Sequence, residues 1–414
     1  MRCSTALGVL AMYIAVPRES APGEHRVAVT PDGVTALVGL GHQVGIESGA
    51  GADAQFPDPA YAAAGAEVAR RGADLLRRAD VVLTVRGPSE AQLEQGAGGA
   101  RPVAPGPVLI GLLDPLRRPE RIARLASRGA SLFSLDLMPR IARAQPMDAL
   151  SAMSTVSGYR AAVVGAALCG RFFPLLMTAA GTERPARVLV LGAGVAGLQA
   201  IATARRLGAV VQAFDTRPAA RQQVESLGAA FLSLPLPAAA PEPAGGYAIR
   251  LAEEEQARER ALIADAVRQA DVVITTALVP DGPAPVLVTR DMALSMHPGA
   301  VLVDLAAESG GNCAATVFGE RIVLGGVVIE GSCGPWDMPF AASRLYSRNA
   351  VAFLHHLCEM GLACERAAQR LAAPDWGDRI VRETCLTWEG KVVHRAVAER
   401  LGQDSPRAHP CPVA

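Results

Sequence analysis

Two stretches of this 414-residue chain carry side chains whose types and spacing could do chemistry. The first, RVLVLGAGVAGLQAI, contains three glycines with the spacing G-x-G-x-x-G, directly after an apolar run and at the start of a helical pattern. The second, PRIARAQPMDALS, gathers Arg140, Gln145, Asp148 and Ser151 just before another helical pattern. The first stretch is typical of phosphate binding, and the second offers donors and acceptors for a planar polar group.

The glycine spacing predicts a dinucleotide-binding turn between a strand and a helix. Gly192 would allow the tight turn, Gly194 the approach of the backbone to a pyrophosphate, and Gly197 the close packing of helix on strand. The phosphates would then meet the unpaired N–H groups at the helix N-terminus. A purely structural role for the glycines is the alternative, but the flanking strand, helix and second strand favour cofactor binding.

Asp215 ends that second strand, roughly 20 residues after the glycines, where a dinucleotide-binding fold places its ribose ligand. A carboxylate there accepts hydrogen bonds from an adenosine ribose and repels a 2′-phosphate, which favours NAD over NADP. Arg217 leaves an alternative open, because its guanidinium could pair with a 2′-phosphate or could simply balance the charge of Asp215.

Composition excludes other classes of function. The 40 basic and 40 acidic residues cancel, which argues against nucleic acid as a partner. The eight cysteines are scattered and show no zinc-ligand spacing, so we predict reduced structural thiols and no metal site. Lys391 is the one lysine in the chain, and EGK around it predicts a hairpin turn rather than a catalytic amine.

Short apolar runs alternate twice along the chain with helical patterns, such as the one predicted for residues 59–79. This alternation predicts an α/β protein of two doubly wound, Rossmann-like parallel-sheet domains with an interdomain cleft. We expect an N-terminal domain of residues 12–140 plus 340–400 and a nucleotide-binding domain of residues 150–335. Residues 234–248 should form a mobile loop, and residues 402–414 a disordered tail.

Neither apolar stretch of the chain predicts a membrane span. In AAVVGAALCGRFFPLLMTAAG the apolar run is interrupted by Arg171 and Pro174, which indicates a buried helix. The N-terminus weakly resembles a secretory signal, but MYIAVP also fits a buried first strand. We prefer the interpretation that the residues before Met12 are a leader that the fold does not need, or that translation starts at Met12.

On these motifs the chain resembles the soluble NAD(H)-binding part of proton-translocating nicotinamide nucleotide transhydrogenase, the first portion of a split alpha subunit. The resemblance covers most of the chain, including DLMPRIARAQPMDALSAMSTVSGYRA, LVLGAGVAGLQAI, FDTRP, GGYA and VDLAAESGGNC. VPRESAPGEHRVAVTPDGV is a pattern shared with the related alanine dehydrogenase. The arginine–glutamine–aspartate loop is specific to the transhydrogenase branch.

The resemblance implies that Arg140, Gln145, Asp148 and Ser151 orient the nicotinamide, and that Tyr247 lies on a mobile loop that closes over bound nucleotide. Capping of the following helix is the alternative role for Asp148 and Ser151. Further cofactor contacts are implied for neighbouring residues: Ile141, Ala142, Leu150, Val195, Ala196, Thr216, Gly246, Ala277 and Leu278.

The chemistry of alanine dehydrogenase is not supported by the residues at the matching positions. That family uses a lysine and a histidine where Thr84 and Asp114 stand here, and His25 and His42 fit ordinary exposed or capping roles. Hydride exchange between two nicotinamides needs no acid or base at the reacting carbons, only two rings held at close range.

The resemblance also implies partners. The chain contains one complete dinucleotide-binding motif, which would hold NAD(H). NADP(H) would therefore lie on a partner, the NADP-binding beta subunit. Proton translocation would need a membrane domain on a separate alpha-subunit polypeptide, and a homodimer on the cytoplasmic face of the inner membrane is implied. The alternatives are a self-sufficient NAD-dependent alanine dehydrogenase and a non-catalytic NAD-binding redox sensor. Three residues depart from the family pattern: Thr84, Ile249 and Phe340.

Overall fold

The structure, a computed structural model, describes residues 11–89, 92, 106–232, 253–279, 282–365 and 370–403. The chain divides into two compact units, unit 1 (Met1–Met153 and Met338–Ala414) and unit 2 (Ser154–Asp337). The predicted loop 234–248 with Gly246 and Tyr247, the departure at Ile249, and the tail from residue 404 lie outside the described residues.

Unit 1 is built around a parallel sheet. Among its described residues, one sheet has eight strands in the order β19-β18-β6-β5-β4-β1-β2-β3, with β18 and β19 antiparallel. These strands are β1 (Tyr13–Val16), β2 (Gln43–Glu47), β3 (Glu67–Ala69), β4 (Val81–Leu83), β5 (Val108–Gly111), β6 (Ser131–Ser134), β18 (Cys385–Trp388) and β19 (Lys391–Val392). A separate pair is formed by β16 (Cys364–Glu365) and β17 (Arg370–Leu371).

Helices cover this sheet. They are α1 (Pro31–Gly39), α2 (Asp58–Ala63), α3 (Gly72–Leu76), α4 (Pro119–Ser127), α10 (Pro339–Glu359), α11 (Arg379–Thr384) and α12 (Arg395–Arg400). Every residue of β1, β4, β5 and β6 is buried, as expected for apolar strands of a parallel sheet covered on both faces. Helix α5 (Ala149–Leu168) begins in unit 1 and continues into unit 2.

Unit 2 repeats the architecture. In the portion of it that the structure describes, the main sheet has the order β11-β10-β9-β12-β13-β15-β14, with β14 antiparallel. Its elements are β9 (Arg187–Leu191), α6 (Val195–Arg206), β10 (Val210–Phe214), α7 (Pro218–Ser226), β11 (Ala230–Phe231), α8 (Glu253–Gln269), β12 (Val272–Thr275), α9 (Arg290–Leu294), β13 (Val301–Asp304), β14 (Arg321–Leu324) and β15 (Val327–Glu330). A short hairpin, β7 (Leu176–Thr178) and β8 (Gly181–Glu183), precedes β9.

The prediction of two doubly wound α/β domains is therefore confirmed. In each sheet the strand order reverses beside the first strand, between β1 and β4 in unit 1 and between β9 and β12 in unit 2. Such a reversal opens a crevice beyond the carboxyl ends of the strands, which is where doubly wound sheets bind ligands.

Local structure departs from the sequence prediction at residues 59–79 and agrees with it at Lys391. The segment 59–79, predicted as helical, contains strand β3 between α2 and α3, because Gly65 adopts φ = +98° and ends α2. The hairpin before Lys391 is confirmed, with Glu389 and Gly390 both at positive φ. In the apolar stretch 161–181, helix α5 ends at Leu168, and no helix among the described residues is long and apolar enough to cross a membrane.

Candidate functional site

The glycine-rich turn of unit 2 lies at the carboxyl end of β9, beside the reversal of strand order. Gly192 has φ = +101°, a region that favours glycine, and its N–H donates to the Phe214 carbonyl oxygen at 2.8 Å. A Cβ atom at Gly197 would lie 1.8 Å from the Gly192 carbonyl oxygen. Helix α6 can therefore approach β9 this closely only because residue 197 has no side chain.

Gly194 is the N-cap residue of α6, and no side chain caps the helix there. A Cβ atom at Gly194 would have no atom within 4 Å, so the space beside this residue is open. With no side-chain cap at Gly194, the first N–H groups of the helix and its dipole favour an anion at this end. This arrangement fits the pyrophosphate of a dinucleotide.

Asp215 follows β10 next to the turn, and its carboxylate is held from several sides. Oδ2 accepts from the Ala193 N–H at 2.7 Å, and Oδ1 accepts from the Arg217 N–H at 2.8 Å. The Arg217 guanidinium adds Nε to Oδ1 and Nη2 to Oδ2, both at 2.9 Å. Burial alone would raise the pKa of Asp215, but these hydrogen bonds outweigh it and lower the pKa below its usual value.

Two further residues support the turn and were missed by sequence analysis. A Cβ atom at Gly158 would lie 2.0 Å from the Ala196 carbonyl oxygen, so α5 packs directly on the start of α6. The Thr276 hydroxyl donates to the Gly192 carbonyl oxygen at 3.0 Å. Gly158 belongs to the GYR triplet after the polar loop, and an isolated glycine in a helical pattern was the available signal.

A buried polar network holds the neighbouring loops and was also missed. Asp304, at the end of β13, accepts from the hydroxyls of Thr275 and Thr316 at 2.8 and 2.7 Å and from three backbone N–H groups. Asn312 is fully buried and binds Ala277 twice: Oδ1 accepts from its N–H at 2.9 Å, and Nδ2 donates to its carbonyl oxygen at 2.8 Å. Asn312 therefore places the predicted cofactor contact Ala277 beside the glycine turn.

The polar loop of unit 1 forms a 3₁₀ helix, Ala142–Met147. Ala144 and Met147 are buried, whereas Arg140 and Gln145 are exposed. The Asn349 side chain of α10 donates to the Pro146 carbonyl oxygen at 2.7 Å, and Arg143 pairs with the buried Asp378. The backbone of the loop is thus anchored to unit 1, while Arg140 and Gln145 are exposed.

Asp148 and Ser151 adopt the capping arrangement that sequence analysis left as an alternative. The Asp148 carboxylate precedes α5 and accepts from the Ser151 N–H at 2.9 Å and from the Ser151 hydroxyl at 2.5 Å. Each residue therefore has a structural role at the helix N-terminus. Their predicted role in orienting nicotinamide stays a prediction.

Predicted cofactor contacts include several apolar side chains that are unusually exposed. Leu150 is 42% exposed in unit 1, and Val195 and Leu278 are 45% and 52% exposed in unit 2. Leu278 and Val195 flank the glycine turn, so the uncovered apolar surface lies where a nucleotide would lie in this fold. Thr216 and Ile141 are half-buried neighbours of Asp215 and Arg140.

At the reversal of strand order in unit 1, a carboxylate of the chain itself binds backbone N–H groups. The Glu19 carboxylate follows β1 and accepts from the N–H groups of Val85 and Arg86, after β4, at 2.6 and 3.1 Å. The Arg86 guanidinium in turn donates to the buried Glu24 at 3.0 Å. The Glu19 carboxylate therefore joins the loops that follow β1 and β4 and occupies these two backbone donors.

This carboxylate makes stability depend on pH. Burial, reinforced by the nearby Glu24 charge, outweighs the two N–H donors and raises the pKa of Glu19 from 4.5 to about 7. The folded chain then keeps a proton that the unfolded chain releases above about pH 4.5. Stability is therefore lost as pH rises from about 4.5 to about 7, by at most about 3 kcal/mol.

The variant Glu19→Gln cannot ionise and is expected to remove this loss. Relative to the wild type, its free energy of unfolding should rise between pH 5 and pH 7.5 by about 1–3 kcal/mol. Urea unfolding followed by tryptophan fluorescence at the two pH values measures the difference. Parallel pH dependences of the two proteins would show that Glu19 titrates normally.

The residues at the alanine dehydrogenase positions form ordinary structural contacts. Thr84 is 1% exposed, and its hydroxyl donates to the Ile110 carbonyl oxygen at 3.3 Å. Asp114 lies in a turn with φ = +50°. His25 is exposed near Asp53, but His42 is buried rather than exposed, and burial lowers its pKa. Its Nδ1 lies 3.4 Å from the Met12 N–H, which donates to it.

Other predictions about the chain concern its thiols, metals and the departure at Phe340. Cysteines 169, 313, 333, 358 and 385 are free thiols, and burial raises the pKa of Cys333 and Cys358 to about 12. Among the described residues, no group of three or more histidine, cysteine or acidic side chains could hold a metal ion. Phe340 stacks on Phe56 within unit 1, with ring centroids 5.1 Å apart.

Fold and site together define a dinucleotide-binding protein with two doubly wound α/β units. Family models for the alanine dehydrogenase/PNT N-terminal and C-terminal domains match residues 15–157 and 161–395. The chain belongs to the alanine dehydrogenase/PNT family, a family of oxidoreductases that bind NAD(H).

Within this family, the chain is similar both to transhydrogenase alpha subunits and to alanine dehydrogenases. The chain is 44% identical over 388 residues to the first of the polypeptides that make up NAD(P) transhydrogenase subunit alpha in Rhodospirillum rubrum, an alignment that covers 93% of this chain and 99% of that one. The crystal structure of transhydrogenase from Sinorhizobium meliloti superposes with a TM-score of 0.79 at 42% identity, covering 92% of this chain and all of that one. Alanine dehydrogenase of Mycolicibacterium smegmatis is 33% identical over 304 residues, covering 72% and 74% of the two chains.

Proposed function

We propose that this chain is the NAD(H)-binding subunit of a proton-translocating NAD(P) transhydrogenase, in which hydride passes between NADH held here and NADP⁺ held on a partner subunit. The observation that carries the proposal is the contrast between the two crevices. In unit 2 the crevice has a helix end without a side-chain cap, next to the Asp215 carboxylate that would bind a ribose. In unit 1 the loops after β1 and β4 are instead joined by the Glu19 carboxylate, which accepts from the N–H groups of Val85 and Arg86. One nucleotide site in the described residues calls for a second on another protein.

In this proposal, the residues of the chain bind the dinucleotide and orient its nicotinamide ring. The glycine turn and the N-terminus of α6 would hold the pyrophosphate, and Asp215 the adenosine ribose. Arg140 and Gln145 would bind the carboxamide, since an arginine supplies donors and a glutamine supplies both donor and acceptor. The nicotinamide, when bound, supplies the hydride. Misorientation of its ring would slow transfer steeply, which explains the firm anchoring of the loop by Asn349 and Asp378.

The absence of the lysine and the histidine of alanine dehydrogenase at the matching positions supports transhydrogenation over amino-acid oxidation. A dehydrogenase that acts on alanine must move protons at its substrate, and buried Thr84 cannot do so. Exchange of hydride between two nicotinamides moves no proton at the reacting carbons.

The assembly is proposed by resemblance. NADP(H) would be carried by a beta subunit, the membrane helices by a separate second portion of the alpha subunit, and this chain would act as a homodimer on the cytoplasmic face of the inner membrane. The Rhodospirillum rubrum relative is itself named as one portion of an alpha subunit, which supports a subunit divided between polypeptides.

A reconstitution experiment tests the proposal. The purified chain is mixed with an NADP-binding domain of a transhydrogenase beta subunit, and reduction of an NAD analogue by NADPH is followed by absorbance. Transfer that depends on both proteins is expected. Tight NADH binding without transfer would instead favour a redox sensor.

The same preparation is also incubated with NAD⁺ and L-alanine without a partner. We expect no sustained NADH formation in that assay. Turnover with alanine would establish the self-sufficient dehydrogenase and end the transhydrogenase proposal.

A further inference from the structure

The Asp215 carboxylate already accepts as many hydrogen bonds as its two oxygens can hold, so no oxygen lone pair is left for a ribose. Its two oxygens accept four hydrogen bonds, from the backbone N–H groups of Ala193 and Arg217 and from Nε and Nη2 of the Arg217 guanidinium, at 2.7 to 2.9 Å. The Asp215 side chain is only 8% exposed and that of Arg217 25% exposed. The two charges therefore form a compact, bidentate pair.

The four donors differ in whether they can leave. The two N–H groups belong to the backbone of the glycine turn and of the chain entering α7, so they stay in place when a ligand binds. The guanidinium is at the end of a flexible side chain and can rotate away. If a ribose diol is to donate to this carboxylate, it must therefore take the place of the guanidinium.

We propose that Arg217 is a specificity-determining residue of this site: its guanidinium occupies the ribose-binding side of Asp215 in the free chain, is displaced by the ribose diol, and is the group that meets a 2′-phosphate. The inference rests on the proposed NAD(H) site and concerns the discrimination between NAD(H) and NADP(H). A bare carboxylate repels a 2′-phosphate, whereas a carboxylate paired with arginine repels it much less.

Two consequences distinguish this role from simple charge balance. Without Arg217, NADH no longer competes with an internal donor, while NADPH loses its cationic partner and faces the full charge of Asp215. The preference for NADH over NADPH should therefore increase. Without the Asp215 charge, the guanidinium is released and NADPH should bind more tightly, provided that Arg217 is still present.

The test measures dissociation constants of NADH and NADPH for the full chain without any partner, by calorimetry. Arg217→Gln is expected to weaken NADPH binding at least about tenfold and to leave NADH binding unchanged or tighter. Arg221→Gln is the matched control, because it removes the same charge one turn further along α7, where Arg221 pairs with exposed Glu225 at 3.2 Å. This control should change the NADH to NADPH ratio less than twofold.

A second pair of variants completes the test. Asp215→Asn should raise NADPH affinity at least about fivefold, and the double variant Asp215→Asn, Arg217→Gln should lose that gain. Binding of adenosine 2′,5′-bisphosphate, with AMP for comparison, reports the same effect without the nicotinamide. Thermal unfolding confirms that each variant is folded.

An NADH to NADPH ratio that stays within twofold in Arg217→Gln would overturn the inference, as would a gain in Asp215→Asn that survives in the double variant. The proposed function can fail separately. Absence of hydride transfer in reconstitution would remove the transhydrogenase assignment, while these binding ratios would still show whether Arg217 sets specificity.

Discussion

Gly194→Ala is expected to weaken NADH binding at least about tenfold while changing the stability of the fold by less than about 1 kcal/mol. Gly194 has φ = −73°, which alanine adopts freely, and its Cβ would have no atom within 4 Å. The added methyl group therefore fits the free protein. It would stand in front of the α6 N-terminus, where the pyrophosphate must approach the backbone.

Gly197→Ala is the contrasting variant in the same turn. Its Cβ would lie 1.8 Å from the Gly192 carbonyl oxygen, so α6 and the turn must move apart. We expect loss of NADH binding together with destabilisation of unit 2 by about 2–3 kcal/mol or more. Gly194 is thus needed for ligand binding and Gly197 for the fold, although the two glycines are only three residues apart.

Quenching of protein fluorescence by NADH and thermal unfolding measure both effects. Gly170→Ala is the matched control, because its Cβ also meets open space and the residue is exposed at the far end of α5. It should behave as the wild type in both measurements. If Gly194→Ala bound NADH as tightly as Gly170→Ala, the turn would not be the pyrophosphate site.

Gln145→Ala is expected to slow hydride transfer in the reconstituted system by about 10²-fold while weakening NADH binding less than about threefold. Gln145 is exposed on a 3₁₀ helix whose backbone is anchored by buried Ala144 and Met147, so its truncation leaves the loop in place. The variant loses the hydrogen bonds that would hold one end of the nicotinamide ring. A displacement of the ring by about 1 Å can slow hydride transfer by about 10²-fold.

Stopped-flow transfer rates and NADH dissociation constants separate these effects. Gln403→Ala removes an exposed glutamine of the same unit, just after α12, and should change neither quantity. Equal losses of rate and of NADH affinity in Gln145→Ala would indicate an ordinary binding contact. No loss in either would remove Gln145 from the proposed site.

Features that depend on residues near in sequence could be predicted. The strand, turn and helix around Gly192 and Gly197 were predicted correctly, since glycine spacing and apolar runs act over a few residues. The hairpin at Glu389 and Gly390 was predicted for the same reason. The helical prediction for residues 59–79 was correct at α2 and α3 but wrong at β3 between them. The high alanine content favoured one continuous helix, whereas Gly65 ends α2 and β3 pairs with β2.

Supporting residues distant in sequence were not predicted. Asn312 meets Ala277 across 35 positions, Asn349 meets Pro146 across 203, and Arg143 meets Asp378 across 235. The sequence around a buried asparagine, or around a single glycine such as Gly158, does not predict which backbone segment the residue will contact. Such pairings depend on how strands are ordered in the sheet and on which helices then become neighbours.

The sequence by itself thus determined the class of fold, the glycine turn and its acidic partner, because hydrophobic periodicity and backbone sterics are local properties. Only the tertiary structure decided that Glu19 joins the loops after β1 and β4 in unit 1, while the space beside Gly194 is open in unit 2. The physical reason is that a carboxylate is satisfied by whichever buried N–H groups the folded chain brings to it, and that choice is made by packing over long separations.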